Sequence, residues 1–363
     1  MVFTVIIVVF SLILLIILHE LGHFLVAKKF GVKVEEFGVF LPPRLFDKKI
    51  GETIYSLNLI PLGAFVRVLG EEGEAGIHDI RSFASKPIWQ RAAIVAGGVV
   101  SFWLVAAFLM SFVMWLGSPT AVSDDDKGLL INPKVQISMI ASASPAQAAG
   151  LRVGDTIRKF EIRNSKFEIN KVKEVQELTE QYKGQEIILQ VERGKEVFNI
   201  SLVPRVSPPE GEGAMGVVLV RTALERHPWY LAPIKGIEAT LTMTGNIIAA
   251  LAGLLSNLVL GKGVPPGADL TGPVGIVALM TQFFQLGLAN YLQFIAAISI
   301  YLAIFNILPI PALDGGKLMF LFIEKVKGRS VNQKLEQKVT AFFFSVLLLL
   351  IALITIRDIT RLF

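Results

Sequence analysis

The chain has no cysteine. Disulfides and thiolate metal ligands are therefore excluded, and any metal site must draw on His, Asp and Glu. Charge is also sparse. Charged residues make up 18% of the 363 residues against 53% hydrophobic, and mean hydropathy is +0.60, which describes a membrane protein with room for a soluble module. The net charge of +5 forms no basic stripe. Its lysines and arginines lie mostly in loops beside apolar runs, where they orient a membrane protein, so nucleic acid is not an expected partner.

Histidine is rare as well, four in all, yet two stand four residues apart in His19-Glu20-Leu21-Gly22-His23. This motif sits inside an apolar run from Val2 through Ala27. On a helix, histidines at i and i+4 share one face and can bind one zinc, with Glu20 beside them as a base for water. An ionisable group near the bilayer centre costs at least about 2.5 kcal/mol, so such a cluster marks a functional site. A cleaved signal peptide fits poorly: Met1–Thr4 carry no basic residue, and no small-residue cleavage site precedes His19. A metal or proton pathway in a transporter is the competing reading of these residues.

Four segments have the roughly 20 apolar residues of a membrane span: about 2–27, 92–117, 288–310 and 340–357. A fifth stretch, 231–260, carries Lys235, Glu238, Asn246 and Asn257 and is polar for a lipid-exposed span. Ten basic residues between Lys28 and Arg91 place that loop in the cytoplasm and the N-terminus outside. The second span then exports the chain from about Ser118 onward. Residues 130–206 change to strand-like alternation and read as a small soluble domain. Within it, Ser144–Ile157 resembles the helix and glycine turn of PDZ domains, which expose a sheet edge and groove that can bind a peptide or merely block access. Residues 207–287 follow as a linker that includes the 231–260 helix. Residues 52–69 read as a hairpin turning at Pro61–Gly63.

A second ligand motif closes the third span, in Asn306-Ile-Leu-Pro309-Ile-Pro311-Ala-Leu-Asp314-Gly315-Gly316. A catalytic zinc site needs three protein ligands, and the other two histidines, His78 and His227, lie in polar segments, so Asp314 is the natural third. Prolines 309 and 311 break the helix there. For Asp314 to reach His19 and His23, the chain must cross the membrane an odd number of times after the exported domain. Residues 231–260 are therefore expected as an extracytoplasmic amphipathic helix. Lys317, Lys325, Lys327, Arg329 and Lys334 agree with a cytoplasmic loop after Asp314.

The paired motifs in separate spans, with a PDZ-like segment between them, resemble the bacterial site-2 proteases of the regulator-of-sigma-E type, peptidase family M50. Val34–Gly38, Tyr55–Val66, Arg81–Phe83, Trp89–Arg91 and Gly272-Pro273-Val274-Gly275 also resemble that family. The resemblance implies a polytopic α-helical membrane protein with four transmembrane helices, one inserted extracytoplasmic PDZ domain and a membrane-associated β-hairpin. It implies Zn2+ held by His19, His23 and Asp314, and Glu20 as the catalytic base. Asn306 would hold the substrate backbone, and Leu57, Asn58, Pro61 and Gly63 would belong to a re-entrant hairpin that captures unwound substrate. Substrates would be transmembrane proteins of the bacterial inner membrane, such as anti-sigma factors or signal peptide remnants. Two features depart from the family: Ser101-Phe102 stands where an Asn-Phe pair is common, and there is room for one PDZ domain where many relatives have two. A catalytically silent PDZ adaptor is the remaining alternative, and Glu20 separates it from a protease.

Overall fold

The computed structural model describes residues 2–71, 79–125, 131–163, 165–194, 196–209, 211–261 and 271–362. His78 lies outside them. In chain order the elements are α1 (Val2–Lys29), β1 (Val34–Ile50), β2 (Thr53–Val68), α2 (Ile88–Leu116) and β3 (Ser118–Ala121), then β4 (Ile131–Ile140), α3 (Pro145–Ala148), β5 (Thr156–Ile162), β6 (Ser165–Glu168), α4 (Val172–Gln181), β7 (Ile187–Arg193), β8 (Glu196–Leu202) and β9 (Val217–Glu225). Five helices complete the chain: α5 (Ala232–Val259), α6 (Pro273–Gln285), α7 (Leu288–Ile307), α8 (Asp314–Lys327) and α9 (Gln333–Leu362).

Helices α1, α2, α5, α7 and α9 are long and apolar enough to cross a membrane, so by length and composition α5 qualifies beside the four segments expected from sequence. It has the lowest mean hydropathy of the five, 1.4, and packs along α2 and α7 through Ile247, Ala106, Met110 and Ile300. Helices α1, α2, α6 and α7 share a second core around Val8, Leu15, Phe102, Met280 and Ile295. Where α1 crosses α2, a Cβ on Gly22 would overlap the Gly97 carbonyl oxygen, and one on Gly97 would lie 2.8 Å from Val26 Cγ2. Small residues at this crossing let the two backbones approach closely, which is the usual device where lipid removes the hydrophobic drive between helices.

The turn expected at Pro61–Gly63 is instead a bend within β2: the hairpin turns between Ile50 and Thr53, and both halves of β2 pair with β1 and not with each other. Both strands bend, so the first half of β1 is flanked on two sides. Val39 lies opposite both Ala64 and Leu57, while residues beyond the bend pair Phe46 with Leu57 and Ile50 with Thr53. The result behaves as four short strands, with 44–50 and 63–68 at its edges.

The remaining strands form a sheet in the order β3-β9-β4-β5-β7-β8, with β6 added to β5. Its core holds Val135, Ile157, Phe160, Val175, Leu189 and Val191, all essentially buried. This domain reaches past the expected 130–206 at both ends, since β3 and β9 belong to the sheet and pair with each other. Sequence alternation in β4 through β8 was readable; the contribution of β9, beyond a Pro- and Gly-rich connection, was not.

Candidate metal centre

Histidines 19 and 23 sit one turn apart on α1 and present one face, as their spacing requires. Asp314 arrives from the far end of the chain. Helix α7 ends at Ile307, short of the expected 310, because Pro309 and Pro311 cannot continue it, and α8 starts at Asp314. A tight turn joins them, with Ile310 N–H donating to Leu308 O at 2.7 Å and Leu313 N–H to Ile310 O at 2.9 Å. Gly315 and Gly316 are required there, since a Cβ on either would overlap main-chain atoms of the turn at Leu308 and Ile310. Those two glycines let α8 fold back onto the broken end of α7 and carry Asp314 to α1.

The three side chains converge. His19 Nε2 lies 3.3 Å and His23 Nε2 3.4 Å from Asp314 Oδ2, and the two Nε2 atoms are 3.2 Å apart. Zinc bonded at about 2.0–2.1 Å in a tetrahedron separates its ligand atoms by roughly 3.3 Å, so the donor set has the right spacing as it stands. Tautomer agrees with that use. The Ile94 carbonyl, 3.0 Å from His23 Nδ1, can only accept, so Nδ1 carries the proton and Nε2 keeps its lone pair for a metal. Two atoms of the cluster, His19 Nδ1 and Asp314 Oδ2, are buried without a hydrogen-bond partner. Unpaired buried polar atoms are costly, and a cation placed among these ligands would compensate Asp314 directly.

Helix α2 forms the wall behind the ligands. A Cβ on Gly98 would overlap His23 Nε2 and lie 2.7 Å from His19 Cε1, so only glycine leaves room for both rings. The ring of Phe102 stacks on His19 with centroids 4.5 Å apart, fixing its plane. Ser101, which stands in place of the more common asparagine, donates its hydroxyl to Gly98 O at 2.6 Å. Gly98 and Phe102 were missed as site residues in the sequence, because an apolar helix with glycines gives no local sign of which residue faces a ligand.

The remaining expected site residues are placed as follows. Glu20 follows His19 on α1 and is partly buried. Asn306 lies in the last turn of α7 and donates to the Leu302 carbonyl at 2.9 Å. Gly63 has φ of 95°, and a Cβ built on it would lie 4.0 Å from Ile16 Cγ2 of α1, which puts the bend of β2 beside the metal helix. Leu57 and Pro61 are exposed, whereas Asn58 is buried, with its amide donating to Val39 O and Phe40 O at 3.2 Å each. The Asn58 side chain thus holds the bend of β1.

Comparison with known proteins identifies the family. The model of peptidase family M50 matches residues 7–350. A protein of Clostridium perfringens named as a zinc metalloprotease is 32% identical over 345 residues, 95% of each chain. The regulator of sigma-W protease RasP of Bacillus subtilis is 28% identical over 433 aligned positions covering 96% of each chain, more positions than this chain has residues. A protein of Nostoc, also named as a zinc metalloprotease, is 28% identical over 96% of this chain and 93% of its own length. The chain therefore belongs to peptidase family M50 and is a zinc metalloprotease.

Proposed function

We propose that the chain cleaves transmembrane segments of single-pass membrane proteins, from within the bacterial cytoplasmic membrane. The observation that carries this reading is the His19, His23 and Asp314 cluster, set on α1 and at the start of α8, beside helices long and apolar enough to cross a membrane. Zinc, when bound, polarises a peptide carbonyl and makes water acidic enough to yield a nucleophile near neutral pH. His19, His23 and Asp314 are the residues that would hold the ion. Glu20 Oε takes the proton from the attacking water and returns it to the leaving amine. Asn306 holds the substrate main chain, a role that suits a neutral amide.

A peptide bond inside a helix is shielded, so the substrate must unwind first. The edge strand at 63–68, whose bend lies against α1, supports capture of the unwound segment by strand addition. The β domain supports a PDZ reading: Ser144 caps the short α3 by accepting from Gln147 N–H at 3.2 Å, and glycines at 150 and 154 with φ of 79° and 90° turn the chain into β5. It regulates access from the extracytoplasmic side, and the zinc lies toward the cytoplasm, as the loop charges require. Four crossings satisfy that arrangement with α5 packed beside α2. Its first turns support this, since exposed Lys235 and Glu238 pair at 2.8 Å.

The test is reconstitution in liposomes with a single-pass substrate. Cleavage products mapping within the apolar segment, lost on chelation and restored by zinc, support the proposal. Zinc or proton flux without cleavage would establish the transporter reading instead.

A further inference from the structure

Helix α8 does more than deliver Asp314. One face of it, at i, i+3, i+4, i+7 and i+10, carries Asp314, Lys317, Leu318, Leu321 and Glu324. Leu321 is buried, and Leu318 packs on the core formed by Ala27, Val34, Val68, Ile94 and Val95. The two charged residues are also engaged. Lys317 pairs with Glu71, just past the end of β2. Glu324 makes a two-pronged pair with Arg91 in the first turn of α2, at 2.6 Å and 3.1 Å, with both side chains largely withdrawn from solvent. Arg91 and Glu324 face a cavity of about 290 Å3 that Lys317, Glu71 and Glu336 also line. The Arg91 Nε is buried there without an acceptor, the one such atom among the described residues outside the metal ligands themselves.

We propose that Arg91 and Glu324 are positioning residues for the metal centre: the pair fixes α8 against α2, and thereby fixes Asp314 at ligand distance from His19 and His23. The proposal rests on the reading of those three residues as the zinc ligands. The geometry is that of a lever. Glu324 lies ten residues from Asp314, about 15 Å along a rigid helix, and α2 also carries Gly98, the wall against which both histidine rings rest. A single helix therefore sets the position of all three donors, directly for the histidines and through the Arg91–Glu324 pair for the aspartate. Arginine suits the task because its planar fork matches a carboxylate at two points, which fixes orientation as well as distance. Lysine would keep the charge and lose the orientation. The Lys317–Glu71 contact holds the same face of α8 to the hairpin, so the helix is tied on two sides.

The test is zinc affinity of the full-length protein in detergent, measured by competition with a chromophoric chelator, with thermal unfolding followed in parallel. Arg91→Lys and Glu324→Gln should each weaken zinc binding about tenfold or more while the protein remains folded. Exchange of the pair, Arg91→Glu with Glu324→Arg, should return affinity to within about threefold of the parent. If the single variants do not fold, the paired neutral variant Arg91→Gln with Glu324→Gln decides: folded, it should bind zinc about tenfold more weakly. Parent-like zinc affinity in the folded variants would overturn the proposal, whatever happens to their unfolding temperature, since that is the signature of a merely structural pair. Asp314→Ala is the control for the underlying site. If it leaves zinc affinity unchanged, the ligand assignment fails and not the positioning pair alone.

Discussion

Two buried carboxylates show how differently the two halves of this molecule treat charge. Asp155 in the β domain is fully buried, and its oxygens are satisfied by Arg193 at 2.7 Å twice and by Arg152 N–H at 2.9 Å. Asp314 in the helical part is partly buried, and its Oδ2 has no hydrogen-bond partner while facing two imidazole nitrogens. The three buried side-chain atoms left unpaired among the described residues are His19 Nδ1, Asp314 Oδ2 and Arg91 Nε. All three belong to the helical part. A fold keeps such atoms only where something outside the protein completes them or function demands them, and a satisfied carboxylate such as Asp155 is architecture. The comparison separates site from scaffold without reference to any motif.

Substitutions at the two carboxylates should therefore fail in different ways. Asp314→Ala, or His23→Ala, should remove bound zinc and lower cleavage by at least about 10³-fold, with thermal unfolding of the β domain unchanged. Atomic-emission zinc analysis beside a cleavage assay checks both halves of that statement. Gly98→Val should come next: its side chain would enter the space of both imidazoles, so zinc affinity should fall steeply even though the substitution adds only apolar atoms to an apolar helix. Asp155→Ala should do the reverse. Leaving Arg193 without its partner and the Arg152 N–H unsatisfied should cost the β domain about 3–5 kcal/mol, seen as a lower unfolding temperature, with zinc content intact.

The smallest effect is on pH. Burial pushes the Glu192 carboxyl up, but hydrogen bonds and charge from Lys134 and Arg158 outweigh it and hold it below the usual glutamate range. A carboxyl whose folded pKa is depressed contributes stability that is fully present above its unfolded pKa, near 4.3, and lost as pH falls through the folded value. Unfolding of the β domain should therefore ease below about pH 4, and Glu192→Gln should flatten that dependence. Circular dichroism across the acid range would show it.

Much of the metal centre was legible because its information is local. Spacing alone puts His19 and His23 on one face, and the prolines before Asp314 announce a broken helix. Long-range pairings were not legible. Arg91 and Glu324 stand 233 positions apart, and nothing in either neighbourhood names the other. Gly98 is one of two adjacent glycines in α2, and only the crossing with α1 distinguishes it. The hairpin was placed within 52–69, with its turn at Pro61–Gly63, because β1 mixes Pro42 and Pro43 with charged residues, a composition that argues against a strand, while the doubled pairing around Val39 overrides that local preference. The substrate role of Asn58 comes from the resemblance alone, and its amide donates to the Val39 and Phe40 carbonyls at the bend, a long-range contact that no local pattern announces. Helix α6 escaped notice because its 13 residues follow a Gly-Pro start within what reads as a linker.

The most direct test of the central claim is the purified Glu20→Gln variant, assayed for zinc and for cleavage of a single-pass substrate in the same preparation. Glu20 stands beside the ligands without being one of them. The account predicts one zinc per chain, as in the parent, and cleavage reduced by about 10²–10⁴-fold, the usual contribution of a positioned base. Parent-like cleavage by the zinc-loaded variant would contradict it.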